Sequence, residues 1–142
     1  MDLGLKGLNA VVTGGTKGIG RAIVETLAAE GVNVAFCARN ADEVERAMSD
    51  LAKHGVKIVG SVADVGDGDA LKAWATGAAQ ALGGIDIVVA NVSALAVAPD
   101  EAAWKKGFDV DLMGSVRLVE AAMPSLEHSK HASIVTISSV SG

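Results

Sequence analysis

Short apolar runs alternate with helix-period runs along the whole chain. The runs Asn9–Thr13, Asn33–Ala38, Lys57–Ser61, Ile85–Ala90 and Ser133–Ser138 read as strands, because they are brief and bounded by polar or glycine residues. Between them, Gly18–Glu30, Ala41–His54, Asp67–Leu82 and Asp100–Ser125 carry apolar residues at helical spacing. In the first helix, Ile19, Ile23 and Leu27 recur every fourth residue and predict a core-facing stripe. Gly31, Gly55 and the pair Gly83-Gly84 follow helices where left-handed caps belong. Strands separated by helices predict a right-handed, doubly wound parallel sheet in an α/β/α sandwich. The expected strand order is 3-2-1-4-5, with a ligand crevice at the carboxyl ends of strands 1 and 4. No internal repeat, linker or low-complexity segment interrupts the pattern, so residues 1–142 read as one domain.

Composition narrows this picture. Half of the 142 residues are hydrophobic but only 3% are aromatic, so the core must be aliphatic, as buried parallel strands require. The net charge of −5 and the absence of a Lys/Arg cluster argue against a nucleic-acid surface. A single cysteine, Cys37, excludes an internal disulfide, fits a reducing compartment, and reads as a small buried hydrophobe rather than a reactive thiol. The N-terminal residues lack the charged-then-apolar order of a signal peptide. The apolar stretch Ile85 to Pro99 is broken by Asp86 and Asn91 and is too short to span a bilayer. A cytoplasmic protein with no membrane partner is expected. His54, His128 and His131 lack ligand-like spacing, so surface roles are expected and a metal site has no support.

The chemistry is concentrated in Thr13-Gly14-Gly15-Thr16-Lys17-Gly18-Ile19-Gly20, which joins the first strand to the first helix. Glycines let a backbone turn tightly and approach an anion, while the helix N-terminus offers free N–H groups and a positive dipole end. The spacing Gly-x-x-x-Gly-x-Gly is neither Gly-x-Gly-x-x-Gly nor a P-loop, in which Ser or Thr would follow the lysine. The pyrophosphate of a dinucleotide is the expected anion. After the second strand, where an acid would bind a ribose 2′-hydroxyl, the chain has Ala38 and then Arg39. A guanidinium there can grip a 2′-phosphate, and Lys17 can add a second positive charge.

Thr-Gly-x-x-x-Gly-Ile-Gly so close to the N-terminus resembles the short-chain dehydrogenase/reductase family. The resemblance implies a seat for the cofactor at Gly14, Thr16, Lys17, Gly18, Ile19 and Gly20, with Lys17 and Arg39 matching the family's NADP-preferring pattern. NADP(H) is thus the expected cofactor and NAD(H) the alternative. It implies that Asp64 and Val65 meet the adenine ring, against the plainer reading of Asp64 as a turn cap. Of the family's Asn-Asn-Ala-Gly, only Asn91 is kept within Ala90-Asn91-Val92-Ser93, and its amide is expected to tie neighbouring strand ends together.

On the long helix the family places a catalytic Asn, where this chain has Asp111, which could also hold a water. Gly114 is expected to permit close packing. The stripe Trp104, Phe108, Leu112 and Ser115 reads as core or subunit packing. Ser139, the second Ser of Ile-Ser-Ser, matches the catalytic serine that polarises a substrate carbonyl. The family's proton donor is the Tyr of Tyr-x-x-x-Lys, whereas these residues include no tyrosine. Because an apolar edge at the fifth strand would invite aggregation, a longer native enzyme is expected to carry that motif. The implied activity is hydride transfer between nicotinamide and a carbonyl or secondary alcohol, for instance a 3-oxoacyl thioester or a sugar alcohol. Copies of the chain, as dimer or tetramer, are the implied partners. The competing reading is a non-catalytic NADP-binding or regulatory module.

Overall fold

The computed structural model describes residues 2–96 and 98–139. Five parallel strands form one sheet in the order β3-β2-β1-β4-β5, as the alternation predicts. They are β1 (Asn9–Thr13), β2 (Asn33–Ala38), β3 (Ile58–Val62), β4 (Ile87–Ala90) and β5 (Ser133–Thr136). The helices are α1 (Gly18–Ala29), α2 (Ala41–Leu51), α3 (Gly68–Leu82), α4 (Glu101–Gly107) and α5 (Met113–His128). A 3₁₀ turn, Ala52–His54, follows α2 and ends at Gly55 with φ +69°, while Gly31 and Gly83 take φ +84° and +85° as expected of left-handed caps.

Successive strand residues point to opposite faces, which divides the core into two layers. On one face Val11, Ala35, Cys37 and Val88 pack with Leu71, Trp74, Ala78 and Leu118 from α3 and α5. On the other, Ala10, Val12, Val34 and Phe36 pack with Val24, Val44 and Leu51 from α1 and α2. Because helices cover both faces, the central strands read as near-continuous apolar runs rather than alternating ones.

Two expectations about helices require correction. The buried residues of α1 are Gly20, Val24 and Ala28, while Ile23 and Leu27 flank them and Ile19 is 63% exposed. Small residues bring the helix close to the sheet, so bulk is not the guide to the buried face here. The expected single helix over Asp100–Ser125 is interrupted by a π-helical segment, Phe108–Leu112, and α5 runs on past Pro124 to His128. The wide turn rotates the face that each half presents. Trp104, Phe108 and Leu112 are 76%, 55% and 51% exposed, so this stripe is not core. Gly114 is buried against Val65, where a Cβ would lie 2.6 Å from Val65 Cγ1, as its packing role requires.

Candidate cofactor site

The carboxyl ends of β1, β2, β3 and β4 open onto a cleft of about 1100 Å³. The glycine turn forms its floor. Gly14 and Gly18 adopt φ of +69° and +59°, in the left-handed region that side chains disfavour. The N–H groups of Gly14 and Gly15 both donate to the carbonyl of Cys37, at 2.9 and 3.2 Å, which fastens the turn to the end of β2. Gly20 lies against the carbonyl of Gly14 and the side-chain amide of Asn91, leaving no room for a Cβ.

Asn91 completes this framework. Its side-chain N–H donates to the carbonyls of Thr13 and Gly14 at 3.2 and 3.3 Å, and its backbone N–H donates to Thr13 Oγ1 at 3.0 Å. The end of β4 is thereby tied to the end of β1, as expected of this amide. Burial pushes the Cys37 thiol up to about 12, although the nearby Gly14 N–H opposes the shift. Cys37 is buried and apolar in its behaviour, not reactive.

At the N-terminus of α1, Lys17 sits in extended backbone conformation with no side-chain cap on the first turn. By contrast α2, α3 and α4 are capped by Asn40, Asp67 and Asp100, which accept from Glu43, Ala70 and Ala103 N–H groups. Uncapped N–H groups and a positive dipole end, facing a glycine turn, are what an anion requires.

The wall beyond the ends of β1 and β2 carries Lys17 and Arg39. Arg39 is exposed and has no ion pair among the described residues. Lys17 is 82% exposed, with Nζ 4.0 Å from Glu43 Oε1, and Thr16 Oγ1 donates to Glu43 Oε2 at 3.2 Å. Asp64 lines the same cleft while its Oδ1 accepts from Gly66 N–H at 2.8 Å, so the turn-cap reading holds and does not remove it from the wall. Val65 is buried beneath it.

The opposite rim is Val92, Ser93, Ala94 and Leu95. Asp111, in the π segment, holds this loop from outside the cleft lining. One carboxylate oxygen accepts from Ser93 Oγ at 3.0 Å and the other from Ala94 N–H at 2.6 Å. Leu95 takes φ +51°, a strained value for a side-chain-bearing residue, and its N–H donates to Ser93 Oγ at 3.1 Å.

The fold thus gathers Gly14, Thr16, Lys17, Arg39, Asp64, Val65 and Asn91 around one cleft. Gly18, Ile19 and Gly20 shape the turn without lining the cleft, and Ser139 follows β5 in an exposed position outside it. Sequence reasoning missed Asn40, Glu43, Lys106 and Asp109, all of which line it. Asn40 alone carried a signal, as a polar residue immediately before a helix-period run. Of the histidines, His54 is not a simple surface residue: its Nε2 lies 2.6 Å from Glu25 Oε1 and its side chain is only 16% exposed. That contact, above all, holds the Glu25 carboxyl below its ordinary value. Among the described residues no group of His, Cys, Asp and Glu could hold a metal ion. No helix among them is long and apolar enough to cross a membrane.

These features define a family. Residues 8–142 match the family described as short chain dehydrogenase, and the chain belongs to it. Isoepoxydon dehydrogenase of Penicillium expansum is 40% identical over 145 residues, covering all of this chain and 56% of its own length. The chain therefore spans about half the length of such curated relatives. Among solved structures, the L-sorbose reductase of Gluconobacter frateurii, complexed with NADPH and L-sorbose, superposes with a TM-score of 0.89 at 31% identity. That likeness covers 99% of this chain and 55% of the reductase. A 7α-hydroxysteroid dehydrogenase complexed with NADH gives 0.88 at 26% identity, covering 95% of this chain and 54% of its own. Homologues named dehydrogenases and reductases make this an oxidoreductase family whose members bind nicotinamide cofactors with and without the 2′-phosphate.

Proposed function

We propose that this chain is the cofactor-binding part of an NADP(H)-dependent oxidoreductase that moves a hydride between nicotinamide and a carbonyl or secondary alcohol. The observation that carries the reading is the convergence of the uncapped α1 N-terminus, the Gly14 turn, Lys17 and Arg39 on one cleft. The pyrophosphate lies along the turn, where backbone N–H groups and the helix dipole favour negative charge. The adenine ring rests against Asp64 and Val65. Arg39, exposed and without an ion pair among the described residues, takes the 2′-phosphate with Lys17.

At the other end, Ser139 donates to the substrate oxygen and stabilises the charge that develops there. Asp111 acts chiefly by positioning, because both of its carboxylate oxygens already hold the Ser93–Ala94 backbone and hydroxyl. The proton donor proposed for the oxygen is a tyrosine in the part of the relatives' length that this chain does not cover. Small-molecule carbonyls and alcohols are the substrates, and copies of the chain are the partners. Exposed Trp104, Phe108 and Leu112 supply an apolar surface for such an assembly.

Replacing Arg39 by Ala in the full-length protein tests the cofactor assignment. NADPH binding, measured calorimetrically, should weaken by about tenfold or more, the worth of a charge-assisted hydrogen bond, while NADH binding stays nearly unchanged. Equal loss for both cofactors would remove Arg39 from the 2′-phosphate site.

A further inference from the structure

The adenosine end of the cleft contains an anion of its own. Glu43 stands on the first turn of α2, 27 residues from the glycine turn in sequence, yet it touches that turn twice. Its Oε2 accepts from Thr16 Oγ1 at 3.2 Å, and its Oε1 lies 4.0 Å from Lys17 Nζ. Its side chain is 30% exposed, against 82% for Lys17, so the carboxylate is the better-anchored partner. Thr16, Lys17, Arg39 and Glu43 all line the same cleft.

We propose that Glu43 is an internal competitor for the 2′-phosphate and sets how strongly the protein separates NADPH from NADH. This rests on the dinucleotide reading above and adds a residue that opposes Arg39. A phosphate dianion at this end needs the Thr16 hydroxyl and the Lys17 ammonium, and Glu43 holds both. Binding the phosphate must either draw these donors away from the carboxylate or place two anions around one ammonium. Either route costs affinity, because like charges at a partly exposed site repel and a surface ion pair is given up. NADH carries no 2′-phosphate and meets neither cost. The guanidinium of Arg39 and the carboxylate of Glu43 therefore pull cofactor preference in opposite directions, and the preference observed is their difference.

The variant Glu43→Gln isolates the charge. Its amide oxygen can still accept from Thr16. The α2 cap is untouched, because Asn40 accepts from the backbone N–H of residue 43. In the full-length protein, titration should show NADPH binding tightened by about fivefold, the size of one exposed ion pair, with NADH changed by less than about twofold. Binding of 2′,5′-ADP should follow NADPH, and binding of 5′-AMP should follow NADH, which localises the effect to the ribose. The proposal is overturned if NADPH affinity is unchanged or weaker in the variant, since Glu43 would then be neutral or would organise the donors. An equal gain for both cofactors would also overturn it. If the wild-type protein binds neither cofactor, the dinucleotide reading itself fails and takes this proposal with it. If it binds them and only the variant result is wrong, that reading stands and the Glu43 proposal alone falls.

Discussion

The two rims of the cleft are built by different means. The glycine-turn side is held by the sheet: Gly14 and Gly15 donate to the Cys37 carbonyl, Asn91 donates to Thr13 and Gly14, and Gly20 fits where no Cβ can. The Ser93–Leu95 side is held by one exposed carboxylate, Asp111, across a π segment, and includes a leucine at φ +51°. Backbone ties among buried strands are lost only when the sheet opens, whereas side-chain ties at an exposed loop can break locally. A rigid glycine-turn side and an adjustable Ser93–Leu95 side follow from that difference.

The largest expected effect breaks the rigid side through pH. The Cys37 thiol lies behind the glycine turn, and its pKa is raised to about 12 from an ordinary 9.0. A raised folded-state value means that the stabilisation is complete below the unfolded pKa and is lost as pH rises through the folded one. Unfolding free energy should therefore fall between about pH 9 and pH 12, by up to ~4 kcal/mol. Urea titrations across that range check this, and Cys37→Ala should remove this part of the slope. Next in size, Gly20→Ala forces a methyl onto the Gly14 carbonyl and the Asn91 amide. It should cost about 3 kcal/mol and abolish dinucleotide binding, read by thermal melting and calorimetry.

The smallest effect belongs to the adjustable side. Asp111→Ala removes the acceptor for Ala94 N–H and Ser93 Oγ, at about 1 kcal/mol. Hydrogen exchange at the Ala94 amide should speed up while global stability barely moves, and Asp111→Asn, which keeps one acceptor oxygen, should restore much of the protection. A global loss as large as that of Gly20→Ala would erase the contrast between the two rims.

The same contrast explains what the sequence disclosed. The glycine turn and the strand order were legible because each depends on local backbone requirements or on apolar periodicity, whereas the Asn91 tie was legible only through the family resemblance. The buried face of α1 was legible only in part: Ile23 and Leu27 pack against the core, but Gly20 and Ala28 leave no hydrophobic mark while the exposed Ile19 does. The π segment within Phe108–Leu112 also escaped, since no residue there breaks the helical apolar pattern. Glu43 and Asp111 act through partners 27 and 17 to 18 residues away, at spacings set by the fold and not by any local period. Nothing in the sequence marked the two hydrogen bonds by which Asp111 holds the Ser93–Ala94 loop.

The most direct test of the account is calorimetric titration of the full-length protein with NADPH and NADH side by side. NADPH should bind more tightly if Arg39 and Lys17 take the 2′-phosphate as proposed, even with Glu43 opposing them. Tighter binding of NADH, or no binding of either dinucleotide, would contradict it.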